Sequence, residues 1–183
     1  MRTLFIMAAF FSSLSRLFGA ADAAPRYKTV PIYDDLRSQA LAIRADLAGG
    51  RKEDEVYAVL METGYPEAVA TLVSVSDGSA SLYYSSGGGT IGAGGHARPN
   101  AASKKLVAMA APFLKHLSKT EKSPLPKDGF TRFYFVTRSG LFTAEVKEED
   151  LGESRLPLSP LFHAAHELIH EITQIDAKEP KKG

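Results

Sequence analysis

The run Val56-Tyr57-Ala58-Val59-Leu60-Met61 constrains the fold more than any other stretch of the chain. Six apolar residues in succession leave no polar side, so a strand built from them must be covered on both faces. Such a strand belongs at the centre of a sheet with further layers above and below it. A chain of 183 residues, 44% hydrophobic and 23% charged, has the size and make-up for one core of that kind plus trimmings.

Helical spacing precedes this strand. Ile32, Leu36, Ile43 and Leu47 share one side of a segment that ends at Gly49-Gly50, where glycine accepts the left-handed conformation of a helix C-terminus. The charged Arg51-Lys52-Glu53-Asp54-Glu55 then leads into the apolar run. Two hairpins follow. In the first, Ala68 to Val75 and Ala80 to Ser85 flank Asp77-Gly78, a dipeptide suited to a two-residue turn. In the second, Phe130 to Arg138 turns at Ser139-Gly140 into Leu141 to Val146. Each hairpin is followed by a helix, at Asn100 to Leu117 and at Pro160 to Ile175, and prolines and lysines at Lys122 to Lys127 form a hinge between the halves.

The expected fold is therefore α+β, an antiparallel sheet of about five strands built from a central strand and two hairpins and flanked by three helices. Residues 32–175 form the single domain, residues 1–31 an apolar or amphipathic segment with its linker, and residues 176–183 a disordered basic tail. The order helix, strand, hairpin, helix, hairpin, helix resembles the profilin-like group, in particular roadblock and longin domains. The resemblance covers residues 32–175 and rests on element order, without a shared motif. It implies a non-enzymatic module that dimerises or docks to a protein partner.

Charge and cysteine content narrow the classes of function. A formal net charge of +1 gives no field to attract nucleic acid, so none is expected as a partner. With no cysteine there is neither a disulfide nor a thiolate nucleophile, and zinc would have to be held by His, Asp or Glu. Location is left open by the N-terminus. Leu4 to Phe11 behind Arg2, with Ala21-Asp22-Ala23 as a small-x-small site, outlines a signal peptide for export. Met7, Phe10, Phe11, Leu14, Leu17 and Phe18 equally trace an amphipathic helix, through which residues 4–18 would touch a membrane surface or a partner of a cytoplasmic protein.

His166-Glu167-Leu168-Ile169-His170 spells the zinc-peptidase motif, with two imidazoles one turn apart to hold the metal and Glu167 to take a proton from metal-bound water. The rest of the helix points the other way. At about 100° per residue, Leu161, Ala165, Leu168, Ile172 and Ile175 cluster in one arc flanked by Leu158, Phe162 and Ile169. His163, His166 and His170 then face outward, and His163 stands about 10 Å along the axis from His170. The downstream carboxylates Glu171, Asp176 and Glu179 lie near the chain end.

The second motif is glycine-rich. Gly87-Gly88-Gly89-Thr90-Ile91-Gly92 matches the dinucleotide fingerprint between a strand and a helix, but the strand belongs to a hairpin and no acidic residue follows about 20 residues on. What remains is a loop whose amides, together with Gly94, Gly95, His96 and Arg98, form a candidate ligand-binding surface ahead of a helix N-terminus. Ser85 and Ser86 lack a nucleophile elbow, and the aromatic residues of the hairpins read as sheet packing. The expected function is a non-catalytic binding or assembly module, with no cofactor, that meets a protein partner or a second copy. The alternative is a zinc-dependent hydrolase using His166, Glu167 and His170.

Overall fold

The computed structural model describes residues 27–43 and 55–178, with side chains to residue 175. The N-terminal segment read as signal peptide or amphipathic helix, the Gly49-Gly50 stop and the chain end beyond Lys178 lie outside the described residues. The elements are α1 (Pro31–Leu41), β1 (Val56–Gly64), β2 (Val69–Val75), β3 (Ala80–Tyr84), β4 (Gly89–Thr90), α2 (Ala97–Ala108), β5 (Ser118–Thr120), β6 (Phe130–Thr137), β7 (Gly140–Lys147), α3 (Glu148–Gly152) and α4 (Ser159–Lys178).

All seven strands join in one sheet of order β4-β3-β2-β1-β6-β7-β5, antiparallel throughout. Strand β1, apolar from Val56 to Met61, is the middle one and is buried along its whole length, as a run without a polar side requires. One hairpin lies on each side of it. Val59 and Met61 point to the face covered by α2 and α4, where they meet Leu72, Leu82, Phe133 and Phe135. Ala58 and Leu60 point to the other face, where α1 covers them with Tyr33 and Ala40.

The α+β class holds, and the strand count rises from about five to seven. The two additions, β4 and β5, are short, and neither has strand-forming composition: Gly89-Thr90 sits within the glycine run, and Ser118-Lys119-Thr120 is polar. The turns also differ in detail. Ser74 pairs with Ala80, and the Gly78 amide bonds to the Val75 carbonyl with Gly78 at φ +96°, so the first hairpin closes by a three-residue loop rather than a two-residue one. In the second, Thr137 pairs with Gly140, so the turn residues are Arg138-Ser139 and Gly140 takes φ +128° as the first strand residue.

Helix ends shift as well. Helix α1 stops at Leu41, where the Ala42 amide is shared between the Ser38 and Gln39 carbonyls. The segment expected as one helix from Asn100 to Leu117 is α2 followed by a 3₁₀ segment, Ala111–His116, because Pro112 has no amide hydrogen to continue the ladder. Helix α2 is tied to the sheet through Ser103, whose Oγ lies 2.8 Å from both Ser74 Oγ and the Ser79 carbonyl. Lys122 to Lys127 is a strap rather than a free hinge: the Pro124 carbonyl accepts a hydrogen bond from Tyr134 Oη at 2.5 Å, and Leu125 packs on the α1 face.

Helix α4 buries the arc that its periodicity dictates. Leu161, Ala165, Leu168 and Ile172 are fully buried, Leu158 and Phe162 nearly so, and His163, His166 and His170 are exposed. Truncating this arc opens a cavity that rigid neighbours cannot fill. Leu168→Ala should destabilise the protein by about 2–5 kcal/mol in chemical denaturation, whereas His170→Ala, on the exposed side, should leave the denaturation midpoint nearly unchanged.

Candidate functional site

Three groups of side chains come into question, and the first is the histidine face of α4. It borders an open groove of about 710 Å³, whose opposite wall is α2 with Arg98, Ala101, Ala102 and Lys105. Ion pairs span the groove: Lys105 Nζ to Glu167 Oε2 at 2.8 Å and Arg98 Nη2 to Glu171 Oε1 at 2.8 Å. The Lys105 ammonium holds the Glu167 carboxyl below its ordinary value, the opposite of what a general base at neutral pH needs. His163 Nε2 lies 3.0 Å from Ser154 Oγ, and the His166 ring rests on Phe162 with centroids 4.3 Å apart. Among the described residues no three His, Asp or Glu side chains gather as metal ligands, so His166 and His170 are left as a pair.

The second group is the glycine corner. Gly87, Gly88, Gly89 and Gly92 all have positive φ, between +76° and +130°, a region that side chains avoid. Much of the backbone is already paired: the Gly87 amide bonds to the Tyr84 carbonyl, the Tyr84 amide to the Gly88 carbonyl, the Gly92 amide to Ser81 Oγ, and the Gly95 amide to the Gly92 carbonyl. Gly94 lies so close to the β2–β3 turn that a β-carbon would run into the Gly78 carbonyl, and Asn100 Nδ2 bonds to the Gly94 carbonyl at 3.0 Å. The run is therefore a fixed corner of the sheet. The dinucleotide reading loses its mechanism, since a 3₁₀ turn, Ala93–Gly95, separates these glycines from the start of α2.

His96 and Arg98 follow the corner but face elsewhere. Both are exposed and line a depression of about 280 Å³ with Pro99 of α2 and Glu171, Gln174 and Ile175 of α4. The groove holding His166 and His170 is the next one along the same seam. Arg98 borders both and is engaged by Glu171.

The third group was not legible in the sequence. Strand register places Tyr83, Thr71, Glu62, Arg132 and Glu145 side by side across β3, β2, β1, β6 and β7, on the face under α1. Glu62 is completely buried, and Arg37 of α1 reaches it with Nε at 2.6 Å from Oε1 and Nη2 at 2.8 Å from Oε2, the bidentate geometry that guanidinium suits. The same guanidinium lies 5.6 Å from the centre of the Tyr134 ring. Tyr33, one turn earlier on α1, lies 2.9 Å from Thr71 Oγ1 through its hydroxyl. Arg132 Nη2 meets Glu145 Oε2 at 2.7 Å.

Burial pushes the Glu62 carboxyl up from its ordinary value, and the Arg37 fork works against that rise. Burial also raises the Tyr134 hydroxyl to about 12, with the Glu62 charge adding to the effect. Tyr83 Oη and Arg132 Nε are buried without a hydrogen-bond partner among the described residues. The only sequence trace of this group is a Glu directly after the apolar run and an Arg on the apolar side of α1; their meeting depends on register.

Partial burial against Phe162, and then the neighbouring His163, lower the His166 imidazole below its ordinary value. A histidine whose folded pKa is depressed binds fewer protons folded than unfolded, so stability is full above about pH 6.5 and declines as pH falls below it. Charges facing His166 across the groove, Arg98 and Lys105, belong to the same balance as Glu167 and Glu171. Denaturation followed from pH 7.5 to 5 should show a loss that is smaller in His166→Gln. Comparison with protein-family models, with curated proteins and with solved structures gives no match, so the functional reading rests on this geometry.

Proposed function

We propose that the chain is a non-catalytic binding or assembly module that meets a protein partner, or a second copy, through the glycine corner beside β3 and β4. The observation that carries this reading is Ile91, 62% exposed on a backbone held by the hydrogen bonds of Gly87, Gly88, Gly92 and Gly95, with Tyr84 exposed at the same corner. An apolar anchor held in a fixed loop loses little conformational freedom on binding, which is what makes such anchors effective. Helix α2 supports the corner through Asn100, so it is mounted on the core rather than hanging from it. The element order that resembles the profilin-like group favours the same reading, since its roadblock and longin members work mainly by docking.

Zinc-dependent hydrolysis is the less favoured reading, because Glu167 is engaged by Lys105 and the two imidazoles find no third ligand among the described residues. A photo-reactive amino acid placed at position 91 should crosslink a discrete partner or a second copy in native extract, and one at Lys119 on the opposite edge should not. Ile91→Asp should weaken that complex at least about tenfold while leaving the fold intact by circular dichroism. Stoichiometric zinc in tag-free protein, lost in His170→Ala, would instead favour the hydrolase.

A further inference from the structure

The sheet face under α1 has the make-up of a recognition site. A fully buried carboxylate, Glu62, shares its sheet face with Tyr83 and Tyr134, and it takes a guanidinium in bidentate geometry with the Tyr134 ring beside that guanidinium. The guanidinium arrives on a helix. Tyr33, Arg37 and Ala40, at positions i, i+4 and i+7, form the strip of α1 that is read. Tyr83, whose ring meets Tyr33 edge-on at 5.7 Å, keeps a buried hydroxyl that no described residue uses.

Helix α1 is a weakly committed occupant of this face. Of its side chains Tyr33 and Ala40 are buried, Leu36 and Leu41 are half-buried against the same cluster, and Ile32 is 59% exposed. Its polar attachments to the sheet are the Tyr33–Thr71 hydroxyl contact and the ion pair, and an ion pair sealed from water adds little net stability because both charges give up their hydration. When the helix lifts, Arg37 and Glu62 regain that hydration together, so opening exposes no stranded charge. An element with few buried apolar side chains opens before one with many.

We propose that this face is a binding site for an arginine carried on a helix, filled in the free protein by Arg37 and taken over by an arginine-bearing amphipathic helix of a protein partner. Charge complementarity selects that occupant: Arg132 is paired with Glu145 on β7, so the carboxylate at the centre of the face, Glu62, is the one left for an incoming guanidinium. An aromatic hydroxyl one turn before the arginine and a small residue one turn after it complete the required pattern. The inference rests on the chain being a binding module but not on the glycine corner, and crosslinking at position 91 tests that corner separately.

The test uses the full chain carrying Arg37→Glu, which sets a like charge against Glu62 and expels α1, and a fluorescent peptide of residues 27–43. The peptide should bind the folded variant and not the wild-type protein, and an Arg37→Lys peptide should bind at least about tenfold more weakly because lysine cannot make the fork. Absence of peptide binding to a folded variant overturns the proposal. So does a wild-type dimer whose subunits exchange α1, which would make a second copy the occupant. If the variant does not fold, native-state hydrogen exchange on the wild-type protein decides. Amides of α1 should exchange at least about 100-fold faster than those of β1, through an opening that leaves the sheet intact. Equal protection of α1 and β1 would show that the helix is an inseparable part of the core and would sink the idea.

Discussion

A negative charge in the middle of the sheet governs how one face of this protein is built. Glu62 lies on the central strand, out of contact with water, and a lone carboxylate there would require several kcal/mol of desolvation. Its neighbours follow from that requirement. Arg37 supplies the opposite charge from α1, Thr71 and Tyr33 form a hydroxyl pair beside it, and Arg132 with Glu145 continues the alternation of charge toward β7. Replacing either member of the pair while the other stays buried is costly, about 3–5 kcal/mol in comparable sites. The pair thus fixes the position of α1 on the sheet more than it adds to stability.

The opposite face is organised by shape. Phe133, Phe135, Leu72, Leu168 and Leu161 are packed without charges among them, and the polar contacts on this side, Ser74 with Ser103 and Thr63 with Thr131, are short hydroxyl pairs that satisfy each other. The sheet therefore has one face, under α2 and α4, packed without buried charges and another, under α1, where an apolar cluster surrounds a charged row.

What the sequence revealed and what it hid divide along physical lines. Periodicity exposed β1, both hairpins and the buried arc of α4, since each is dictated by where apolar residues fall along one element. It also turned His163, His166 and His170 outward, as they stand. Strands β4 and β5 could not be seen, because Gly89-Thr90 and Ser118-Lys119-Thr120 are strands only by virtue of the neighbour they pair with. The charged row was hidden for the same reason: Glu62, Arg132 and Glu145 are far apart in the chain and become neighbours through register alone. The glycine run gave a signal about backbone conformation. Its positive φ angles turn a corner of the sheet ahead of α2.

The two shortest strands carry a consequence for the protein in crowded solution. An open sheet offers its outermost strand as a template on which other chains can stack, the first step toward fibrous aggregates. Here the outermost positions are taken by β4 and β5, of two and three residues, too brief to nucleate a ladder and lacking apolar side chains to stabilise one. Lys119 places a charge in the middle of β5, and the glycine backbone of β4 bends away at Gly92. The long, apolar, aggregation-prone strands are thereby kept in the interior of the sheet.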